Sequence, residues 1–264
     1  MIDVKDLKVT FNKGTVMETR ALNGLSLNVP KGQFVCVIGS NGSGKSTLQN
    51  ALSGEVSPES GKIIVDDIDI GNWPAPKRCG LIARVFQDPL AGSCENLTIE
   101  ENMSLAYSRG RRRGIGRAIS SNVRDEFREK LSRLDLGLEN RLGDLMGLLS
   151  GGQRQAVSLL MASLQPSSLL MLDEHTSALD PRIAAFVMEL TRDIVTENNL
   201  TTLMVTHSMR QALDYGDRTI MLHGGKVVLD VEGDARDGLE VPDLIQMFEK
   251  AHGEELSEDS LLLG

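Results

Sequence analysis

One octapeptide limits what this chain can fold into. Gly39-Ser40-Asn41-Gly42-Ser43-Gly44-Lys45-Ser46 fits the pattern G-x-x-x-x-G-K-[ST]. The apolar run Phe34-Val35-Cys36-Val37-Ile38 precedes it and reads as a buried strand. Thr47 to Leu52 follows and reads as the first turns of a helix. Strand, glycine-rich loop and helix form the context in which this pattern holds phosphate. Several backbone N–H groups must meet phosphate oxygens at once, and Gly39, Gly42 and Gly44 let the main chain curl into such a nest. A helix starting near Lys45 turns its positive end towards the anion. Lys45 adds a point charge for the β- and γ-phosphates, and the Ser46 hydroxyl is placed to ligate Mg²⁺. Ser40, Asn41, Ser43 and Thr47 complete the nucleotide-binding set around the loop.

The 264 residues suffice for one large domain, or a core with a subdomain. A net charge of −9 and a pI near 5.0 give no overall basic footprint, so nucleic acid is not an expected partner. Met1 to Lys5 lacks a cationic stretch followed by an apolar one, which predicts no signal peptide. No apolar run approaches the roughly 18 residues that span a bilayer. Cys36, Cys79 and Cys94 are isolated, fit a reducing compartment and receive no role.

Before the loop, Ile2, Val4, Leu7, Val9 and Phe11 are spaced as in a strand, and Leu25 to Val29 alternates strictly. Pro30-Lys31-Gly32 is a turn. These segments predict a small antiparallel layer leading into the strand of the loop. Phe11 fits either stacking on a purine or a place in the core. Gly61–Asp66 and Leu81–Phe86 are further strand candidates, the second running into Gln87-Asp88-Pro89.

Beyond Pro89 the pattern changes to helix. Thr98-Ile99-Glu100-Glu101 is a capping box, and Ser121 to Leu136 carries Val123, Phe127, Leu131 and Leu134 on one face. Between them, Arg109 to Arg117 holds five arginines in nine residues. Such a stretch suits anionic lipid or nucleic acid, but its glycines and the acidic total favour a solvated loop.

Leu149-Ser150-Gly151-Gly152-Gln153-Arg154-Gln155 then opens an apolar helix. Ser150 is a good N-cap, and the two glycines leave the first N–H groups uncovered, a second anion site. Leu169-Leu170-Met171-Leu172-Asp173-Glu174 is an apolar strand ending in two carboxylates, where open α/β sheets bind ligands. Asp173 is expected to hold Mg²⁺. Glu174 is expected on the other strand face, polarising a water as general base. Asp180 and Pro181 start another helix as N-cap and N1. Thr201 to Thr206 is a strand ending at His207, a candidate phosphate sensor, and Ser208 to Gln211 predicts a capping box. Thr219–Leu222 and Lys226–Leu229 flank His223-Gly224-Gly225 as a hairpin.

Taken in order, the P-loop, Gln87, L-S-G-G-Q, the strand-end carboxylates and His207 make the chain resemble an ABC ATPase. That is the ATP-binding subunit of an ATP-binding-cassette transporter, and the resemblance covers about residues 1–240. It implies roles by position. Phe11 matches the adenine-stacking aromatic, and Gln87 the glutamine that contacts Mg²⁺ and the attacking water and relays to the membrane subunits. Ser150, Gly151, Gly152 and Gln153 match the signature that binds the γ-phosphate of ATP held by a second subunit. Asp180 matches the D-loop and His207 the switch histidine. One departure stands out: His175 follows Glu174 where Pro is usual. Together with the signature context, this Asp-Glu-His-Thr variant resembles a bacterial import subgroup paired with amino-acid-type substrate-binding lipoproteins.

The implied fold is α/β: a P-loop NTPase, RecA-like core with an N-terminal antiparallel β layer and an inserted α-helical subdomain. Residues 1–87 and 157–240 would form the ATP-binding core, 88–156 the helical subdomain carrying the signature, and 241–264 a short helix and acidic tail. The implied activity is hydrolysis of ATP with Mg²⁺, in a homodimer that sandwiches two ATP molecules. With no fused span, the chain must dock on separate permease subunits, at the cytoplasmic face of the cell membrane, with a substrate-binding lipoprotein as a further partner. Import of amino acids or a related small solute is the implied direction. Export or lipoprotein release, and an ATP-gated regulatory dimerisation module, are the alternatives.

Overall fold

The computed structural model describes residues 1–111 and 119–252. In chain order the elements begin with β1 (Ile2–Phe11), β2 (Thr19–Val29), β3 (Phe34–Ile38), α1 (Lys45–Ser53), β4 (Ser60–Val65), β5 (Ile68–Asp69), α2 (Ala75–Arg78) and β6 (Ile82–Val85). There follow α3 (Ile99–Tyr107), α4 (Ser121–Ser132), α5 (Gly151–Ser163), β7 (Leu169–Asp173) and α6 (Pro181–Asn198). The chain continues through β8 (Thr202–Val205), α7 (Met209–Tyr215), β9 (Arg218–His223), β10 (Lys226–Glu232) and α8 (Val241–His252). They fall into two compact units, one of Met1–Arg78 with the chain from Asn199 onward, the other Cys79–Asn198.

In the first unit β2, β1, β4 and β5 form an antiparallel sheet in that order. The alternation expected over Leu25–Val29 is present, with Leu25, Leu27 and Val29 buried and the residues between them exposed. β3 pairs in parallel with β8 on one side and β9 on the other. A strand enclosed in this way is apolar along its whole length, and all five residues of β3 are buried. Burial pushes the Cys36 thiol up to about 12, so it behaves as a small hydrophobe. Gly224 and Gly225, with φ of 53° and 73°, make the tight β9–β10 turn.

The second unit pairs β6 with β7 in parallel and packs an apolar cluster among its helices. Ile99 and Met103 come from α3, Phe127 and Leu131 from α4, and Ala156, Val157 and Leu160 from α5. α4 stops at Ser132, short of the expected Leu136, because Asp135 and Gly137 turn to positive φ. Leu134 still reaches the core. Of the arginine stretch, 112–117 lies outside the described residues. Arg109 is not a solvated side chain: its guanidinium donates to Ala162 O and Gln165 O at the end of α5. Arg111 lies over the Tyr107 ring. The acidic tail from 253 onward also lies outside the described residues.

Candidate functional site

The phosphate loop is built by β3 and α1. Gly44 is the N-cap of α1 and brings no side-chain hydrogen bond, so nothing of its own covers the first-turn N–H groups. A Cβ at Gly39 would stand 2.4 Å from Leu222 O on β9, which only glycine avoids. Lys45 is buried and its Nζ donates to Gly39 O at 2.5 Å and Ser40 O at 3.1 Å. The ammonium is thereby held inside the loop, where a phosphate would meet it. Ser43 Oγ is buried and, among the described residues, makes no hydrogen bond. An orphaned hydroxyl in a glycine-lined cradle fits an anion. Ser46 and Asn41 are exposed, and Thr47 is half-buried.

Phe11 is the last residue of β1 and 39% exposed, so the core does not use it. His207 follows β8 and is half-buried. The helix after it is capped differently from expectation. Ser208 Oγ accepts from Gln211 N, but the Gln211 side chain does not return to Ser208 N. Its Oε1 instead accepts from Thr206 Oγ1 at 2.9 Å, and that same Oγ1 accepts from Ser208 N at 3.1 Å. Thr206 has displaced half of the box.

The second unit holds the remaining candidates. Ser150 caps α5 with both halves of a capping box: Oγ accepts from Gln153 N, and Gln153 Oε1 accepts from Ser150 N. Arg154 reaches back to the carbonyls of Met146, Gly147 and Leu149 and pins the loop that delivers the cap. A Cβ at Gly152 would lie 2.2 Å from Ile183 Cγ2, so glycine there lets the first turn of α5 approach α6. Asp180 Oδ1 accepts from Ile183 N, the expected N-cap ahead of Pro181.

β7 ends at Asp173, and Glu174 takes φ 43°. Strand alternation therefore stops before Glu174 and does not aim it, contrary to the expectation from period two. Its place is set by the turn, in which Ser177 N and Ser177 Oγ both donate to Glu174 O at 2.9 Å. Gln87 Nε2 donates to the same Ser177 Oγ at 3.1 Å. One hydroxyl thus ties the candidate glutamine to the backbone of the candidate base. Gln155 Nε2 donates to Phe86 O and fixes the end of β6 to α5. Asp173 Oδ2 accepts from an Arg84 amino group at 2.8 Å. His175 is buried against α6, and burial lowers it to about 4.

Sequence reasoning missed Ser177, Gln155 and Arg84. Arg84 carried a signal: a charge within an apolar strand must find a partner. Ser177 and Gln155 carried none, since polar residues in loops and helices are ordinary.

A glycine-rich loop between a buried parallel strand and a helix, with a carboxylate ending a second parallel strand, defines a P-loop nucleoside triphosphatase. The model of the family described as ABC transporter matches residues 22–177. The chain is 43% identical over 251 residues to a tyrosine transport ATP-binding protein of Clostridioides difficile, covering 95% of this chain and all of that one. A phosphonates import ATP-binding protein of Haloarcula marismortui is 34% identical, over 90% and 88% of the two chains. A thiamine import ATP-binding protein of Escherichia coli is 31% identical, over 76% and 82%. Among solved structures, the ATP-binding cassette MJ0796, dimeric in a post-hydrolysis state with ADP and Pi, superposes with a TM-score of 0.75 at 29% identity, covering 88% of this chain and 98% of that one. The chain belongs to the ABC transporter family, as its ATP-binding subunit, an enzyme that hydrolyses ATP to power transport.

Proposed function

We propose that this subunit drives import of a small solute, amino acids or a related compound, through a separate permease. The names of the similar proteins, for tyrosine, thiamine and phosphonates, support that direction. Two copies close around two ATP molecules, each held by one P-loop and the partner's signature; the dimeric cassette structure supports this arrangement. Functionally, 1–87 and 157–240 act as the ATP-binding core, 88–156 as the signature-bearing subdomain, and 241–264 as a C-terminal appendage.

In this reading Phe11 stacks on adenine, and Gly39 to Thr47 hold the phosphates. Ser150, Gly151, Gly152, Gln153 and Asp180 complete the site of the second copy. Glu174 serves as general base, His207 reads the γ-phosphate, and Gln87 orients the attacking water. The oxygens of Ser46, Gln87 and Asp173 are hard donors, and they suit Mg²⁺. Among the described residues no cluster of three or more His, Cys, Asp or Glu could hold a metal by itself. Ser46, Gln87 and Asp173 would hold the ion together with the nucleotide. Bound there, Mg²⁺ neutralises charge developing on the phosphates.

The observation that carries the reading is the Gln87–Ser177–Glu174 connection. It couples the residue assigned to sense the membrane partner to the one assigned to activate water. None of the described helices is long and apolar enough to cross a membrane. In this reading the chain works from the cytoplasmic face on a permease of another chain, with a substrate-binding lipoprotein outside. Affinity purification of the tagged chain from detergent-solubilised membranes tests this. A co-purifying multi-span protein is the expected result; recovery of the chain alone overturns it.

A further inference from the structure

Leu81 to Phe86 is apolar except for Arg84. β6 and β7 run in parallel with Arg84 opposite Met171. Side chains two apart on a strand share a face, so Asp173 stands diagonally across from Arg84 on the same side. The guanidinium donates to Asp173 Oδ2 at 2.8 Å, with the two side chains only 11% and 16% exposed. It also lies over the ring of Phe86, two residues on and just past the end of β6, 4.7 Å from the centroid. The exposed pair Arg128–Asp125, at 52% and 70%, is of another kind, since water screens it almost fully. The Arg84 pair is held in place by strand register, an aromatic ring and little water.

Resting on the reading of Asp173 as a metal ligand, we propose that Arg84 is a displaceable counter-ion for that carboxylate. Without metal, Arg84 occupies Oδ2 and keeps Asp173 paired and oriented. Arg84 would have to yield part of its hold on this carboxylate when Asp173 takes up a metal ion. The cation therefore sets the metal affinity of the site below that of an unpaired aspartate, which favours metal release after hydrolysis. Arg84 is a positioning residue that acts through Asp173.

The test is Mn²⁺ binding to the full chain with ATP present, followed by the electron paramagnetic resonance signal of free Mn²⁺. Arg84→Met should tighten Mn²⁺ roughly tenfold, about the weight of one charge-assisted hydrogen bond. Arg84→Gln, which suits a strand facing partial water, should tighten it likewise, and Arg84→Lys should return it close to wild type. The urea midpoint of metal-free Arg84→Met should fall, while that of the Mn²⁺–ATP form falls less. A purely structural arginine would lower both equally and leave Mn²⁺ affinity alone. Unchanged or weakened Mn²⁺ binding in Arg84→Met and Arg84→Gln overturns the proposal. Asp173→Asn separates the two readings. If it weakens Mn²⁺ while the Arg84 variants do nothing, the counter-ion role fails and the metal assignment stands. If it leaves Mn²⁺ unaffected, the metal assignment itself fails.

Discussion

His175 Nε2 lies 3.0 Å from Thr191 Oγ1, joining the turn after β7 to the middle of α6. The Thr191 hydroxyl donates to Val187 O at 2.7 Å. Its proton is therefore committed, its lone pair accepts from the imidazole, and the neutral Nε2–H tautomer is assigned to His175. The residue next to the candidate base is thus anchored to a helix through a buried polar pair.

That anchor predicts an acid limb in stability. Burial lowers His175 from 6.5 to about 4. The unfolded chain takes up the proton near its ordinary value, while the native state resists it until the lower one. Stability from this group is complete above about pH 6.5, declines as pH falls towards 4, and is flat below, a span of about 3 kcal/mol. His175→Gln, which can still donate to Thr191 but does not titrate, should flatten this limb. Urea midpoints between pH 4 and 7 measure it, and an unchanged slope would remove His175 as the cause.

Glu174→Gln should retain ATP binding and accumulate an ATP-bound dimer on gel filtration, with turnover lowered about 10²–10⁴-fold, the usual weight of general-base catalysis. Wild-type turnover in this variant would exclude Glu174 from that role.

Ser150→Arg should block the ATP-dependent dimer while the isolated subunit still binds ATP. Because Ser150 also caps α5, the monomer should lose about 1 kcal/mol of stability. Equilibrium binding of a fluorescent ATP analogue separates the two effects. Loss of nucleotide binding by the monomer would contradict the cross-subunit assignment.

Gly152→Ala should destabilise the chain by about 1–3 kcal/mol through overpacking against Ile183. Combining it with Ile183→Ala should recover part of the loss, since the clash needs both side chains. Additive urea midpoints for the two substitutions would show that they do not meet.

Much of this site can be read from residues close in sequence. The Thr98–Glu101 box and the Ser150 and Asp180 caps formed as expected, and Gln153 adds a second half-box at Ser150 that was not expected. Each is a three-residue reach fixed by helix geometry. The exception, Ser208–Gln211, failed because Thr206, two residues upstream, offered Gln211 a better partner. The aim of Glu174 could not be read from strand period, since its positive φ belongs to a turn held by Ser177.

The sequence by itself determined the phosphate nest, the helix starts and the apolar strands, because those follow from backbone geometry over a few residues. Tertiary structure alone decided which charge Asp173 faces, what holds His175, and what links Gln87 to Glu174. Arg84 and Asp173 are 89 positions apart, and Gln87 and Ser177 are 90. The register of β6 against β7 brings the first pair within hydrogen-bond reach, and the turn after β7 brings Ser177 to Gln87. A register is a property of two packed strands, and neither strand's own sequence specifies it.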